Sequence, residues 1–355
     1  MIARMTAHSS IDMRAWGALS DGTQTHLYTL RNAQGMRIDI SDLGATLVSW
    51  LAPDRTGRFA DVLLGYDSPD QYVSGSAFMG AIVGRWANRI RDARFVLDGI
   101  VHEVERNEGA NHLHGGSAGF HRQMWRVQEA DGALVMTLPS PSGAAGFPGN
   151  LDVTVRYALA DDGTLSIDYE ARTDAPTPVN LTNHAYFNLS GKAGEEASIR
   201  DHRIAIAANE YFTIDATSIP IARDDVTNSV FDLRTPRTIG ARLDASHEQL
   251  ALAGGFDHCY VIDDEAEERR PVAVLFDPST GRELTVATDA RGLQFYSGNH
   301  LEGVPARGGS RYRRHAGLCL EAGGFPNGIN MNGAHAVLRP GEVYRQRTRY
   351  TLQVR

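Results

Sequence analysis

The sequence has almost no lysine and almost no cysteine. Lys192 is the only lysine among 35 basic residues, and it lies in the glycine-flanked segment Ser190-Gly191-Lys192-Ala193-Gly194, which predicts an exposed loop. Most Schiff-base mechanisms are therefore excluded, because an imine needs a buried amine. The two cysteines, Cys259 and Cys319, both lie in apolar runs, which predicts buried free thiols rather than a disulfide.

Long hydrophobic runs and clustered basic charge are also missing. No run of about 18 apolar residues offers a transmembrane helix, and the start, Met1 to Met5, lacks the apolar region of a secretory signal. The formal net charge is −8 and arginine is scattered along the chain, which argues against a nucleic-acid surface. We expect a cytoplasmic monomer or homodimer that binds a small neutral molecule, with no nucleic acid and no membrane as partner.

Short alternating segments separated by Asp-Gly turns dominate the chain. Such turns occur at 98–99, 131–132 and 162–163 and predict β-hairpins. Residues 153–157 and 165–170 flank the third turn and alternate at period two, as a half-buried antiparallel pair does. Further strands are predicted at 36–40, 46–51, 125–128, 272–276, 283–288 and 344–354, and at most a short helix at 239–251.

This pattern predicts an all-β protein with few short helices. Many strands without crossover helices must bury one face against each other, which favours two large antiparallel sheets packed as a β-sandwich. The length of 355 residues is compatible with one large β domain. We therefore expect a single domain over residues 22–355, preceded by a weakly ordered N-terminal arm over residues 1–21.

Three distant segments together supply two imidazoles and a carboxylate. They are residues 111–116 (Asn-His-Leu-His-Gly-Gly), 183–189 (Asn-His-Ala-Tyr-Phe-Asn-Leu) and 320–327 (Leu-Glu-Ala-Gly-Gly-Phe-Pro-Asn). A histidine beside polar and aromatic neighbours can titrate near neutrality, and a lone glutamate can be held as a base. The segments contain no serine or cysteine nucleophile, so they indicate proton transfer.

Taken one by one, these residues have other interpretations. His112 and His114 have a metal-ligand spacing and would share one face of a strand. By its pattern alone His184 would be a histidine satisfied within the core, whereas the flanking Asn183 and Tyr186 offer hydrogen bonds that could fix its ring tautomer. Glu321 follows the apolar strand predicted at 317–320, where an ionised group is costly unless it opens into a cleft.

Five segments in the same order resemble the galactose mutarotase (aldose 1-epimerase) family. They are His-Gly-Gly at 114–116, Asn-His-x-Tyr-Phe-Asn-Leu at 183–189, Gly-Gly-Phe-Asp-His at 254–258, Gly-Leu-Gln-Phe-Tyr-Ser-Gly-Asn at 292–299 and Leu-Glu-x-x-x-Phe-Pro at 320–326. The likeness runs from about Ile38 to the C-terminus. It implies a mutarotase-type β-sandwich that interconverts the α and β anomers of a free aldose, with neither a metal nor another cofactor.

The resemblance also implies roles for individual residues. Glu321 would be the base at the C1 hydroxyl, His184 the acid at the ring oxygen, and His114 a hydrogen-bonding partner of the ring oxygen or the developing charge. The residues implied to bind the sugar are Asn88, Arg89, Tyr186, Asp257 and Gln294. By the same resemblance His112 is structural or supports a site residue, and the role of Arg85 is open. From their chemistry alone, Trp86 and Phe325 would form either an apolar platform for the sugar or part of the core.

Other functions remain open on the sequence alone. A glycosidase would use paired carboxylates, for which Glu321 and Asp257 are available. A non-catalytic sugar sensor would need no acid–base pair, and a sugar-phosphate epimerase would need an arginine cluster such as Arg311 to Arg314. The chain also has Ala322, Gly323 and Asn327 where close relatives carry other residues, so the preferred aldose is not predicted.

Overall fold

The protein is built mainly of antiparallel strands, as seen in a computed structural model that describes residues 10–262, 271–331 and 336–355. The first strands are β1 (Ser10–Ala18), β2 (Gln24–Arg31), β3 (Arg37–Ser41), β4 (Thr46–Pro53), β5 (Phe59–Asp61), β6 (Ile82–Val83), β7 (Arg89–Ile90), β8 (Arg94–Leu97) and β9 (Ile100–Glu103). They are followed by β10 (His112–Leu113), β11 (Arg126–Ala130), β12 (Ala133–Ser140), β13 (Leu151–Leu159), β14 (Thr164–Thr173), β15 (Thr177–Pro178), β16 (Thr182–Asn183), β17 (Arg203–Ile206) and β18 (Glu210–Ile214). The last are β19 (Pro220–Asp225), β20 (Arg237–Thr238), β21 (Asp257–Val261), β22 (Pro271–Phe276), β23 (Arg282–Thr288), β24 (Gly292–Tyr296), β25 (Cys319–Gly323), β26 (Val337–Leu338) and β27 (Tyr344–Val354).

The helices are short. In the described residues they are α1 (Pro69–Ser74), α2 (Ile239–Leu243) and α3 (Glu248–Ala253), with single 3₁₀ turns at 91–93, 116–118, 120–122, 144–146, 194–196, 307–309 and 328–330. The helix expected over 239–251 is divided in two, because the His247 side chain caps α3 by accepting a 3.2 Å hydrogen bond from the Gln249 amide. Nowhere in these ranges is a helix long and apolar enough to cross a membrane.

The three Asp-Gly turns form the predicted hairpins. They connect β8 to β9, β11 to β12, and β13 to β14. In the first turn Asp98 and Gly99 both have positive φ, 51° and 79°, which matches the right-handed twist of the strands they join. In the third hairpin Val155 lies opposite Tyr169, and burial alternates along both strands. The period-two prediction is confirmed here.

Among the described residues, three large antiparallel sheets make up most of the fold. A nine-stranded sheet has the order β11-β12-β13-β14-β27-β23-β22-β17-β20, and two five-stranded sheets have the orders β1-β2-β3-β4-β5 and β19-β18-β21-β24-β25. The last strand, β27, lies at the centre of the large sheet between β14 and β23. Two-residue pairs such as β6 with β16 and β7 with β10 connect the loops above the sheets.

One large apolar cluster of the described residues joins the three sheets. Trp50 from β4, Tyr157 from β13 and Phe295 from β24 belong to one buried cluster. Two tyrosine hydroxyls of the large sheet donate hydrogen bonds across this core, Tyr157 to the Ala45 carbonyl at 2.8 Å and Tyr350 to the Leu320 carbonyl at 2.9 Å. The predicted all-β sandwich is therefore confirmed, with three large sheets in the described residues where two were expected.

The N-terminal segment departs from the prediction where the structure describes it. Residues 10–18 of the expected weakly ordered arm form β1, which pairs with β2 from Ser10 opposite Arg31 to Ala18 opposite Gln24. The segment is an edge strand in which residues 12–15 are all exposed, Met13 by 62%, so its sequence lacks the buried alternation of an inner strand. Residues 1–9 lie outside the described ranges, and the domain boundary at residue 22 stays a prediction.

Candidate active site

A polar cleft of about 280 Å³ opens where the loops above the sheets meet the strand β25. Seven predicted site residues line it: Asn88, Arg89, His114, His184, Tyr186, Asp257 and Glu321. Residues that the sequence did not single out complete the wall: Ser76, Ala77, Phe78, Glu108, Leu113, Tyr296, His300 and Leu301. The cleft thus brings together side chains that are more than two hundred residues apart in the sequence.

Glu321 lies in the middle of β25 rather than after a strand, which corrects the sequence prediction. It pairs with Gln294 on β24, and its side chain is almost fully buried on the same face as that of Cys319 two residues earlier. Burial and the neighbouring Asp257 carboxylate raise the pKa of Glu321 well above its ordinary value, and Arg89 partly opposes this shift. The carboxyl group therefore has a high proton affinity.

His184 follows β16 and is held by its backbone. Its amide donates to the Ala81 carbonyl at 3.0 Å, and its own carbonyl accepts from the Gly80 amide at 2.9 Å. The imidazole Nε2 lies 3.8 Å from Oε1 of Glu321, and the ring centroid lies 5.4 Å from that of His114. Burial lowers the pKa of His184 to about 4. The two groups that face each other are thus an imidazole and a carboxyl group that both favour their neutral forms.

The second nitrogen of His184 faces a thiol. Nδ1 lies 3.5 Å from Sγ of Cys319, and burial raises the pKa of that thiol, which keeps its proton on sulfur. A thiol donor at Nδ1 leaves the proton of the neutral ring on Nε2, toward Glu321. Asn183, which the sequence offered as a partner for this ring, instead bonds the Gly80 carbonyl at 2.7 Å and the Ala185 amide at 3.1 Å.

His114 belongs to a tight turn that follows β10. It has a φ of +53°, and a Cβ on the next residue, Gly115, would lie only 2.0 Å from the Gly84 carbonyl oxygen, so this turn requires glycine. The backbone N–H of Asn88 donates to Nδ1 of His114 at 3.1 Å. Because Nδ1 is an acceptor and burial lowers the pKa of His114 well below its ordinary value, the neutral ring carries its proton on Nε2.

Arg89 is fixed at the edge of the cleft by an acidic residue that the sequence reasoning missed. Its Nε and Nη2 donate to the two carboxylate oxygens of Glu108 at 2.6 Å and 2.7 Å, a bidentate pair. Nη1 of Arg89 lies 3.9 Å from Oδ2 of Asp257. Gln294 donates to Oδ1 of the same aspartate at 2.7 Å. Gln294 lines a smaller adjoining cavity, which shares Asn88 and Glu321 with the main cleft.

An aromatic wall faces the two histidines. The Phe78 ring centroid lies 4.6 Å from that of His114 and 5.8 Å from that of His184. Tyr186 lies on the other side, with its ring centroid 5.2 Å from that of His184. These rings exclude water from the imidazoles, which is why burial dominates both pKa shifts.

Four other candidates lie away from the cleft. The buried guanidinium of Arg85 donates to backbone carbonyls, among them Pro148 and Gly149, both at 2.8 Å, so it secures a loop. His112 is buried, and its Nδ1 lies 2.8 Å from the Glu105 carbonyl, whereas His114 faces the cleft, so the His-x-His pair does not act as one unit. Trp86 and Phe325, the suggested platform, line a different cavity.

Most of the chain is similar to one family of known proteins. A family model described as aldose 1-epimerase matches residues 26–351. The aldose 1-epimerase of Escherichia coli (strain K12) is 39% identical over 335 residues, covering 93% of this chain and 96% of that protein. The galactose mutarotase of Homo sapiens is 36% identical over 349 residues, covering 98% and 99%. A solved galactose 1-epimerase from Lactobacillus acidophilus NCFM has a TM-score of 0.85 at 27% identity, covering 98% and 99%.

Proposed function

We propose how this member of the aldose 1-epimerase family, an isomerase that interconverts the anomers of an aldose, moves the protons of its reaction. Glu321 and His184 carry these protons. The observation that carries the proposal is the distance of 3.8 Å between Nε2 of His184 and Oε1 of Glu321 at the base of one cleft. The gap is too long for a direct hydrogen bond. It leaves both groups available to neighbouring oxygens of one bound molecule.

Ring opening of a cyclic hemiacetal requires a base and an acid at the same time. The C1 hydroxyl loses a proton to Glu321 while the ring oxygen gains one from His184, and the C1–O5 bond breaks to give the open aldehyde. Rotation about C1–C2 and reclosure with the two roles exchanged give the other anomer. Each assisted proton transfer contributes about 10²–10⁴-fold, which is adequate for a reaction that already proceeds in water.

The environment of the pair favours the state that follows ring opening. The reaction starts from ionised Glu321 with protonated His184 and leaves protonated Glu321 with neutral His184. Burial raises the pKa of Glu321 and lowers that of His184 to about 4, so both shifts favour the second state. Each pKa unit of this inversion is equivalent to about 1.4 kcal/mol. Before ring opening the same shifts make the ion pair the minor arrangement of this one proton, so the reaction passes through that minor form and returns the pair to its neutral form.

The remaining cleft residues are proposed to hold the sugar. His114 presents Nε2–H and hydrogen-bonds the ring oxygen or the charge that develops there. Asn88, Arg89 and Asp257 offer donors and acceptors to the other hydroxyls, with Tyr186 as a wall. Gln294 acts through Asp257, because its amide donates to that carboxylate. The cytoplasmic location and the state of assembly, monomer or homodimer, stay predictions.

The activity is tested by polarimetry on the purified, chelator-treated protein. We expect faster relaxation of optical rotation for at least one of freshly dissolved α-D-galactose, α-D-glucose, α-D-xylose and L-arabinose, because the acid–base pair needs no metal. Equal acceleration before and after chelation is the expected result. If activity is lost on chelation and restored by a metal, the acid–base proposal is wrong.

Replacing Glu108 with Gln tests the bidentate pair at the cleft edge. The variant keeps the size of the side chain but loses the negative charge that holds the guanidinium of Arg89 in place. We therefore expect KM to rise by up to about tenfold, with kcat changed far less. The effect stays modest because Glu108 is 35% exposed and its ion pair is screened. Initial rates across sugar concentration separate the two constants. A fall in kcat alone would contradict a role in binding.

The alternative functions gain no support from the described residues. The arginine run that a sugar-phosphate epimerase would need does not line the cleft. Arg313 pairs with Glu195 at 2.9 Å, and Arg311 and Arg314 donate to the Gly303 and Gly254 carbonyls. In a glycosidase, Asp257 would be the second catalytic carboxylate beside Glu321. Asp257 instead accepts a hydrogen bond from Gln294 and lies beside Arg89. These contacts favour a binding role for Asp257.

A further inference from the structure

Cys319 lies beside the reacting pair, so an imidazole, a thiol and a carboxyl group converge there, all three buried. His184, Cys319 and Glu321 each offer one ligand atom, and the three atoms lie within 4.8 Å of one another. We propose that these residues form a site for a soft divalent cation such as Zn²⁺, and that its occupation reversibly inhibits the enzyme. The inhibition rests on the proposed roles of His184 and Glu321, whereas cation binding does not.

The spacing suits a tetrahedral ion. Zn²⁺ binds thiolate sulfur at about 2.3 Å and imidazole nitrogen at about 2.0 Å, which places two such ligands about 3.5 Å apart at a tetrahedral angle. The distance between Sγ of Cys319 and Nδ1 of His184 is 3.5 Å. Glu321 faces the other ring nitrogen of His184, so its carboxylate must move toward Nδ1 and Sγ to complete three ligands.

The ligands are held on rigid elements. Cys319 and Glu321 are two residues apart in β25 and so share one face of the sheet. The backbone of His184 is bonded to Ala81 and Gly80. Both His184 and Glu321 line the open cleft, so an ion can enter and a water molecule can take the fourth position.

The charges of the ligands match the ion. Binding displaces the thiol proton of Cys319 and the carboxyl proton of Glu321, and both protons leave to solvent. Thiolate and ionised Glu321 then supply two negative charges to a divalent cation, with neutral His184 as the third ligand, so the buried centre is electrically balanced. A thiolate ligand favours Zn²⁺ or Cd²⁺ over Mg²⁺ and Ca²⁺, which prefer oxygen.

Occupation would remove both proton-handling groups at once. The carboxylate of Glu321 is no longer free to accept a proton, and the imidazole of His184 is held by the metal. We therefore expect Zn²⁺ to abolish the acceleration of anomer exchange, a chelator to restore it, and Mg²⁺ at the same concentration to have no effect.

Binding is tested without any sugar. Chelator-treated wild-type protein, Cys319→Ser and Cys259→Ser are titrated with Cd²⁺ while the ultraviolet charge-transfer absorption of a cadmium–thiolate bond is followed. Cys259→Ser is the matched control, because Cys259 is the other buried free cysteine. We expect the band at one equivalent in wild type and Cys259→Ser and its loss in Cys319→Ser, which keeps a hydroxyl donor for His184 but not the soft ligand. Cys319→Ala is expected to behave like Cys319→Ser.

Inhibition is then measured by polarimetry relative to the metal-free rate of each variant. Cys319→Ser should need at least about tenfold more Zn²⁺ for half inhibition. A band that persists in Cys319→Ser and Cys319→Ala, or equal inhibition of wild type and both variants, would assign the metal to other residues and overturn the proposal. An active protein without a band would also overturn it. A band without any epimerase activity would retain the site and refute the proposed function instead.

Discussion

Replacing Glu321 with Gln is expected to lower kcat by at least about 10²-fold while KM changes little. The amide keeps the shape of the side chain in β25 but cannot take the proton from the C1 hydroxyl. Because this proton moves only as the ring opens, the lost interaction belongs to the transition state rather than to the bound sugar. Polarimetric initial rates across sugar concentration measure both constants.

Glu108→Gln is the matched control for this experiment, since it removes a second carboxylate from the same cleft. We expect Glu108→Gln to raise mainly KM and Glu321→Gln to lower mainly kcat. A folded Glu321→Gln variant with near-normal turnover would show that another group is the base. Loss of both activity and sugar binding would instead indicate that Glu321 mainly holds the sugar.

The hairpins of the fold could be predicted because their signals are local. An Asp-Gly pair between two alternating runs is enough to place a turn and its two strands, as at Asp162-Gly163 between β13 and β14. The position of the C-terminal strand β27 between β14 and β23 could not be predicted, because long-range pairing leaves no local mark. Strand β1 was missed because residues 12–15 are exposed on both faces, which removes the apolar alternation.

In the site, the residues carried by continuous motifs were found and those fixed by tertiary contacts were missed. His114, His184 and Glu321 meet in one cleft. Glu108 lies in a polar loop, and only the fold brings it to Arg89, 19 residues earlier. Phe78 has a φ of +54° and no sequence signal that its ring faces the histidines.

Cys319 could have been found from the sequence. It lies two residues before Glu321 in a predicted apolar strand, and the period of two places both side chains on one face. What the sequence could not give is the neighbour on the far side, Nδ1 of His184, which comes from a turn 135 residues away. The same limit explains why Asn183 was taken as the partner of that ring.

Replacing His184 with Asn is expected to abolish most of the activity and to change the shape of the pH profile. In wild type, kcat/KM should form a bell whose limbs belong to the coupled pair. Activity rises as the doubly protonated pair loses its first proton, mainly from His184 because burial lowers its pKa to about 4. It falls as the second proton leaves, mainly from Glu321, whose pKa burial raises.

Without His184, only the base titrates. The residual rate of His184→Asn should rise as pH increases through the raised pKa of Glu321 and then stay level, with no alkaline fall. His102→Asn, which removes a histidine that stacks on Phe95 and does not line the cleft, should keep the full bell. A bell that persists in His184→Asn would identify a different acid. His114→Asn would then be the next variant, because the imidazole of His114 lies 5.4 Å from that of His184, measured between ring centroids, and faces the same cleft.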